Sequence, residues 1–272
     1  MKPGYSTQPR YKFILSNLCV PTREIPEWRV PRNHVHPTAC TDLARLIPPS
    51  ATARIRSMNP THFWLIRHGE TEWNAGRRLQ GWLDIPLSET GRRQARQLAQ
   101  HLQGPDMPTF QAVLSSDLSR AAETAQLATA HLGLPVITLE QLRERNYGIY
   151  QGLDWTALTE GLAAQGVNLR DPAQLVQDGE SFQQFADRIT AAFEALAREY
   201  PGQNLLVFAH GGVVDIAWRK AAGLELTVKR EDPILNASIN VFDISGEGEW
   251  RIGAWNQVGH LDTPALDDVM HT

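Results

Sequence analysis

An arginine and a histidine stand where a short apolar run ends. Residues 63–66 have the length and composition of a buried strand, and Arg67, His68 and Gly69 follow them directly. The guanidinium is a fixed positive fork, the imidazole is a titratable nitrogen, and the glycine allows a tight backbone turn. Open α/β sheets bind ligands at the carboxyl ends of their strands, so this position predicts a site for a phosphate.

A second apolar run, residues 112–114, ends in the small polar residues 115–117 and leads into a helix pattern over about 118–131. Arg120 falls in the first turn of that helix. A lone arginine there is by default a surface residue. A cation in the first turn is, however, disfavoured by the helix dipole unless an anion is also present, and this favours a binding role.

Residues 205–208 form the most apolar strand candidate, and His210, Gly211 and Gly212 follow this strand before another helix begins. A single histidine after a strand is more often structural than catalytic. His210, however, follows the third apolar run after which a basic or imidazole group appears. The glycines also let backbone N–H groups at a helix start approach an anion, so we expect the three exits to converge on one site.

Four motifs in this order resemble those of the histidine phosphatase superfamily, which has the phosphoglycerate-mutase-like fold and a histidine that is phosphorylated on a ring nitrogen. The resemblance covers about residues 61–257. The motifs are Arg67-His68-Gly69-Glu70-Thr71 with Trp73-Asn74, Ser116-Asp117-Leu118-Ser119-Arg120-Ala121, Glu144-Arg145-Asn146-Tyr147-Gly148, and His210-Gly211-Gly212.

The resemblance implies a role for each matching residue. His68 is the expected nucleophile, and Glu144 is the expected proton donor and acceptor; the alternative for Glu144 is a surface glutamate paired with Arg143 or Arg145. Nearby arginines should disfavour protonation of His68, whereas Glu144 needs an environment that raises its pKa. The expected substrate- and phosphate-binding residues are Arg67, Thr71, Asn74, Gln80, Gly81, Arg120, His210 and Gly211.

Strand and helix patterns alternate along the chain, which predicts an α/β fold with a largely parallel sheet flanked by helices. Ser88 and Ser181 are the expected N-caps of two amphipathic helices. Residues 238–244 and 249–255 predict a C-terminal β-hairpin. Residues 153–178 show no clear periodicity, and we expect them to form a small cap over the site.

The first 58 residues differ in composition from the rest. Nine of the seventeen prolines fall within the first sixty residues, which predicts a disordered, basic extension before a phosphatase domain at 59–257 and a tail at 258–272. A targeting peptide is an alternative for this extension. Met58 precedes the first strand by a few residues, and one hypothesis makes it the true start of the protein.

Composition limits the other function classes. The net charge of −4 gives no reason to expect nucleic-acid binding, and no apolar run approaches the roughly 20 residues needed to cross a bilayer. The expected location is therefore cytoplasmic. Both cysteines, Cys19 and Cys40, precede the motifs, so cysteine catalysis is not expected.

Neither a metal nor another cofactor is expected. His68, Glu70, Glu72 and His210 could suggest a zinc site, but the chain has no His-Glu-x-x-His motif and no cysteine pair. Neither a Walker loop nor a dinucleotide fingerprint is present.

The expected activity is hydrolysis of a small phosphomonoester through a phosphohistidine on His68. A mutase is the first alternative, because residues 144–148 are similar to the mutase version of that motif. Only about 27 positions separate Gly152 from Gly179, however, and the mutases' long insertion with paired arginines is absent. An inactive phosphate-binding module is the second alternative. The sequence leaves the substrate and the oligomeric state open.

Overall fold

The computed structural model describes residues 59–267, so the expectations for residues 1–58 and for the last five residues of the tail lie outside the described part of the chain. Six strands form one sheet in the order β3-β2-β4-β1-β5-β6. Their bounds are β1 Thr61–Arg67, β2 Ala112–Ser115, β3 Val136–Thr138, β4 Asn204–Ala209, β5 Ile239–Ile244 and β6 Trp250–Ile252.

The first four strands are parallel, and β5 and β6 form an antiparallel hairpin at the side of β1. The predicted fold class and C-terminal hairpin are therefore confirmed. Strands β2 and β4 are buried along almost their whole length, as expected for parallel strands that are covered on both faces.

Six α-helices accompany the sheet in residues 59–267. They are α1 Glu72–Ala75, α2 Glu89–His101, α3 Ser119–Thr129, α4 Trp155–Ala164, α5 Phe182–Glu199 and α6 Gly211–Ala222. Ser88 accepts the N–H of Gly91 at 3.1 Å, and Ser181 accepts that of Gln184 at 3.1 Å, so both predicted N-caps are present.

Two apolar cores cover the two faces of the sheet. Successive side chains of β1 point to opposite faces: Phe63 belongs to the core that includes α5 and α6, and Ile66 belongs to the core under α2 and α3. Phe63 stacks on Phe242 at 5.0 Å and meets Phe193 edge-on at 5.2 Å. This packing fixes β1, whose end carries the first motif.

The segment 153–178 differs from the expectation of an irregular chain, because it contains helix α4. Asp154 caps this helix by accepting the N–H of Ala157 at 3.0 Å. Trp155, Leu158 and Leu162 are buried in a third, smaller cluster with Leu79, Tyr147, Leu169 and Val176. Gly161 and two threonines weaken the local helix propensity, so tertiary packing decides the conformation.

In residues 59–267, no helix combines the length and the apolar character that crossing a bilayer requires.

Candidate active site

The ends of three adjacent parallel strands meet at one edge of the sheet. Strand β4 lies between β2 and β1, so the residues that follow these strands become neighbours. Arg67 ends β1, Arg120 lies in the first turn of the helix after β2, and His210 follows β4. The rings of His68 and His210 lie 5.2 Å apart between centroids.

A small cleft at this edge gathers most of the predicted site residues. It also includes Arg78, Leu79 and Tyr147, which the sequence reasoning did not assign. Its lining residues are Arg67, His68, Asn74, Arg78, Leu79, Gln80, Gly81, Arg120, Glu144, Tyr147 and Gly211. Tyr147 belonged to a recognised motif, and Arg78 and Leu79 directly precede Gln80 and Gly81, so their position beside two predicted residues was the available signal.

His68 is held in one tautomer. Its Nδ1 lies 2.7 Å from the carbonyl oxygen of Gly69, and a carbonyl only accepts, so Nδ1 carries the proton and Nε2 keeps its lone pair. Burial lowers the pKa of His68 well below its usual value, and the charges of Arg120 and Arg67 lower it further. The imidazole is therefore neutral near pH 7.

Two buried guanidiniums flank this imidazole. Arg67 is anchored by donating Nη1 to the carbonyls of Ile234 and Leu266. Arg120 donates to the carbonyls of Leu83, at 3.0 Å, and Gly81, at 2.8 Å. Burial lowers the pKa of Arg120 to about 10, so this group remains charged at neutral pH.

Arg120 also has a hydrogen-bond donor that is not used. Its Nε is buried and has no hydrogen-bond partner within residues 59–267. An N–H that is buried without an acceptor is costly, and an anionic oxygen in the cleft would satisfy it.

Glu144 is nearly buried, which does not fit the alternative of a surface glutamate. Arg143 pairs with Asp117 instead. The two carboxylate oxygens of Glu144 accept one backbone N–H each, from Arg145 at 2.8 Å and from Gly212 at 2.9 Å.

Two side chains hold the main chain around Glu144. Trp82 donates Nε1 to the carbonyl of Glu144 at 2.6 Å, and Arg188 donates Nη2 to the same oxygen at 3.1 Å. Arg188 also binds both oxygens of Glu180, at 2.7 and 2.8 Å. These contacts fix the position of the carboxylate, and sequence reasoning did not find Arg188.

Thr71 and His210 do not line the cleft. Thr71 is the N-cap of α1, and its hydroxyl accepts the N–H of Asn74 at 3.1 Å, so it positions a residue that does line the cleft. His210 is fully buried, and its Nε2 lies 2.8 Å from the hydroxyl of Ser116. Burial and the nearby Arg120 lower its pKa well below the usual value.

Within residues 59–267, no three or more His, Cys, Asp or Glu side chains are grouped so that they could hold a metal ion.

Comparison with known proteins identifies the family. The family model of the histidine phosphatase superfamily, branch 1, matches residues 63–258. The chain is 37% identical over 203 residues to phosphoglycerate mutase-like protein 4 of Arabidopsis thaliana, covering 73% of this chain and 86% of the relative. It is 36% identical over 208 residues to the metal-independent phosphoserine phosphatase of Arabidopsis thaliana, covering 75% and 84%.

Among solved structures, the crystal structure of a phosphoserine phosphatase mutant from Entamoeba histolytica in complex with phosphoserine has a TM-score of 0.63 at 25% identity. It covers 74% of this chain and 99% of that one. The chain therefore belongs to branch 1 of the histidine phosphatase superfamily, and it is a histidine phosphatase, a phosphoric monoester hydrolase, as its motifs predicted.

Proposed function

We propose that this enzyme hydrolyses a small phosphomonoester through a phosphohistidine on His68. The observation that carries the proposal is the state of this imidazole: its Nδ1–H is donated to the carbonyl of Gly69, and its pKa is lowered by burial and by two guanidiniums. The second nitrogen, Nε2, is thus left as an unprotonated nucleophile.

The phosphoryl group would bind between Arg67 and Arg120. Their charges, with the N–H of Gly211 at the start of α6, oppose the negative charge on the equatorial oxygens in the transition state. Asn74 and Gln80 supply amide groups to the cleft, and Gly81 closes its wall at φ +54°. Thr71 holds Asn74 in place by a hydrogen bond, and the ring of His210 packs edge-on against the ring of His68.

The reaction has two steps. In the first, Nε2 of His68 attacks phosphorus, the ester P–O bond breaks, and Glu144 gives its proton to the departing alkoxide oxygen. In the second, water attacks the phosphohistidine and passes a proton to Glu144. The N–P bond then breaks, and its electron pair returns to His68. Neither step requires a metal ion.

The names of the relatives leave two readings of the chemistry, since one is called phosphoglycerate mutase-like and the other a phosphoserine phosphatase. The short segment 153–178 favours hydrolysis, because the mutases' long insertion is missing. By analogy with the relatives that are named phosphatases, we infer that the substrate is a small phosphorylated metabolite such as phosphoserine. The cytoplasmic location stays a prediction.

The test is a labelling experiment with p-nitrophenyl phosphate, without added metal. We expect phosphate release and an acid-labile, base-stable phosphoenzyme that is absent in His68→Ala, a variant that should keep the fold. Glu144→Gln should lower kcat by about 10²-fold or more while phosphate still binds, since it removes the proton donor. Substantial turnover by His68→Ala would end the assignment.

Two further measurements separate the alternatives. Isomerisation of 3-phosphoglycerate without net phosphate release would favour the mutase. An inactive phosphate-binding module would bind phosphate without turnover or labelling.

A further inference from the structure

The peptide group between Gly69 and Glu70 determines which nitrogen of His68 carries the proton. Its carbonyl accepts Nδ1–H of His68 at 2.7 Å, and this contact leaves Nε2 with its lone pair. A trans peptide group is planar, so its N–H, which belongs to Glu70, points opposite to its carbonyl. The group that holds this N–H therefore also sets the direction in which the carbonyl meets the imidazole.

Gln94 in helix α2 is the group that holds this N–H. Its side-chain Oε1 accepts the N–H of Glu70 at 2.8 Å, and the residue is fully buried. The side-chain oxygen of Gln94, the peptide group and the imidazole of His68 thus form one chain of hydrogen bonds. Hydrogen bonds in such a chain polarise one another, which makes the carbonyl of Gly69 a better acceptor for Nδ1–H.

Helix α2 lies so close to this turn that the two cannot shift against each other. A Cβ at Gly91 would lie 2.1 Å from the carbonyl oxygen of Glu70, and one at Gly69 would lie 2.6 Å from the carbonyl oxygen of Gly91. Ser88, the N-cap of α2, donates its N–H to the carbonyl of Glu70 at 2.9 Å. The start of the helix is therefore fixed against the turn, and this fixes the position of Gln94.

Stability alone does not explain a glutamine at this position. Its helix neighbours Ala95 and Leu98 are buried and apolar. The Nε2 group of Gln94 is buried as well, and it has no hydrogen-bond partner in the part of the chain that the structure describes. A buried amide with an unsatisfied donor costs free energy that an apolar side chain would not cost. An apolar side chain, however, could not accept the N–H of Glu70.

We propose that Gln94 is a positioning residue for the nucleophile: it holds the Gly69–Glu70 peptide group, which keeps the proton of His68 on Nδ1 and leaves Nε2 to attack phosphorus. The inference rests on the proposed function, in which that nitrogen attacks. Gln94 does not line the cleft and lies outside the four motifs, so it acts on the substrate only through His68.

The test is Gln94→Met, which has a similar volume and no strong acceptor. Heteronuclear NMR of the histidine ring nitrogens, with His68→Ala to assign the signals, reports where the proton lies. We expect it on Nδ1 of His68 in the wild type and partly on Nε2 in Gln94→Met. The kcat for p-nitrophenyl phosphate should fall about tenfold or more, because the reacting nitrogen is displaced and partly protonated. Inhibition by inorganic phosphate should not change, since Arg67 and Arg120 keep their anchoring carbonyls.

Two variants serve as controls. Gln94→Glu keeps an acceptor at the same place, so it should retain most of kcat and the proton on Nδ1 of His68. Gln100→Met is an exposed change in the same helix and should behave as the wild type. If circular dichroism shows that Gln94→Met does not fold, the shorter Gln94→Asn replaces it with the same expectation, because its oxygen cannot reach the N–H of Glu70.

The proposal is overturned if the variant keeps the wild-type kcat. It is also overturned if kcat falls while the proton stays on Nδ1 of His68, because Gln94 would then be a purely structural residue. Wild-type turnover by His68→Ala would instead contradict the proposed function, so the two failures are distinguishable.

Discussion

Gly212 shows how strongly one residue constrains the proposed proton donor. A Cβ at this position would lie 2.2 Å from Oε1 of Glu144 and 3.1 Å from the ring of Phe185. The N–H of the same residue is donated to Oε2 of Glu144. A glycine is therefore required here because of a close approach, and the carboxylate could not keep its place beside a methyl group.

We predict that Gly212→Ala lowers kcat by about 10²-fold, because a displacement of about 1 Å at a reacting group can have that effect. The measurement is turnover of p-nitrophenyl phosphate together with phosphate affinity, which should change little. Gly161→Ala is the control, since a Cβ there meets nothing within 4 Å. Equal kcat values for the wild type and Gly212→Ala would show that Glu144 does not depend on this contact.

At the scale of elements, helix α5 holds the segment that carries Glu144. Arg188 donates to the carbonyls of Gln141, at 2.8 Å, Arg143, at 3.0 Å, and Glu144, at 3.1 Å. One planar guanidinium thus ties a helix to a loop that has little regular structure of its own. The salt bridge to Glu180 fixes the orientation of the guanidinium.

We predict that Arg188→Met destabilises the fold by about 1–3 kcal/mol, because three main-chain carbonyls and the carboxylate of Glu180 lose a charged hydrogen-bond donor. We also expect kcat to fall and the pH profile of kcat to shift, because Glu144 loses its support. Arg188→Lys should restore neither the stability nor the wild-type kcat, since one ammonium group cannot donate to all three carbonyls. Arg198→Met, an exposed change in the same helix, is the control. A pH profile identical to that of the wild type would limit Arg188 to a structural role.

At the scale of the whole molecule, two buried neutral histidines make stability depend on pH. The pKa values of His68 and His210 in the folded state lie well below 6.5. Below pH 6.5 the unfolded chain therefore binds more protons than the folded one. The free energy of unfolding then falls as the pH falls, by about 1.4 kcal/mol per pH unit for each histidine.

Urea unfolding between pH 6.5 and 5.0 measures this slope. We expect His68→Asn to reduce it by about one proton, or about 1.4 kcal/mol per pH unit. His131→Asn changes an exposed histidine and should leave the slope as in the wild type. If His68→Asn also kept the wild-type slope, the imidazole of His68 would not be held neutral by the fold.

Local patterns in the sequence were enough to predict the strands and the residues at their ends. The apolar runs before Arg67 and before His210 end abruptly, and Ser88 and Ser181 mark helix starts, because capping and burial act within a few residues. Since parallel strands present their carboxyl ends at one edge of the sheet, these patterns also predicted that the residues following the three strands lie close together. The motifs alone indicated the family.

Contacts between distant segments were decided only by the tertiary structure. Helix α4 forms because Trp155 and Leu162 pack with Leu79, although its own sequence favours helix weakly. One cavity is likewise lined by both Arg145 and Lys229, which lie 84 positions apart along the chain. Such a juxtaposition depends on how the loops and helices pack, and packing energies involve all partners at once. No stretch of neighbouring residues encodes them.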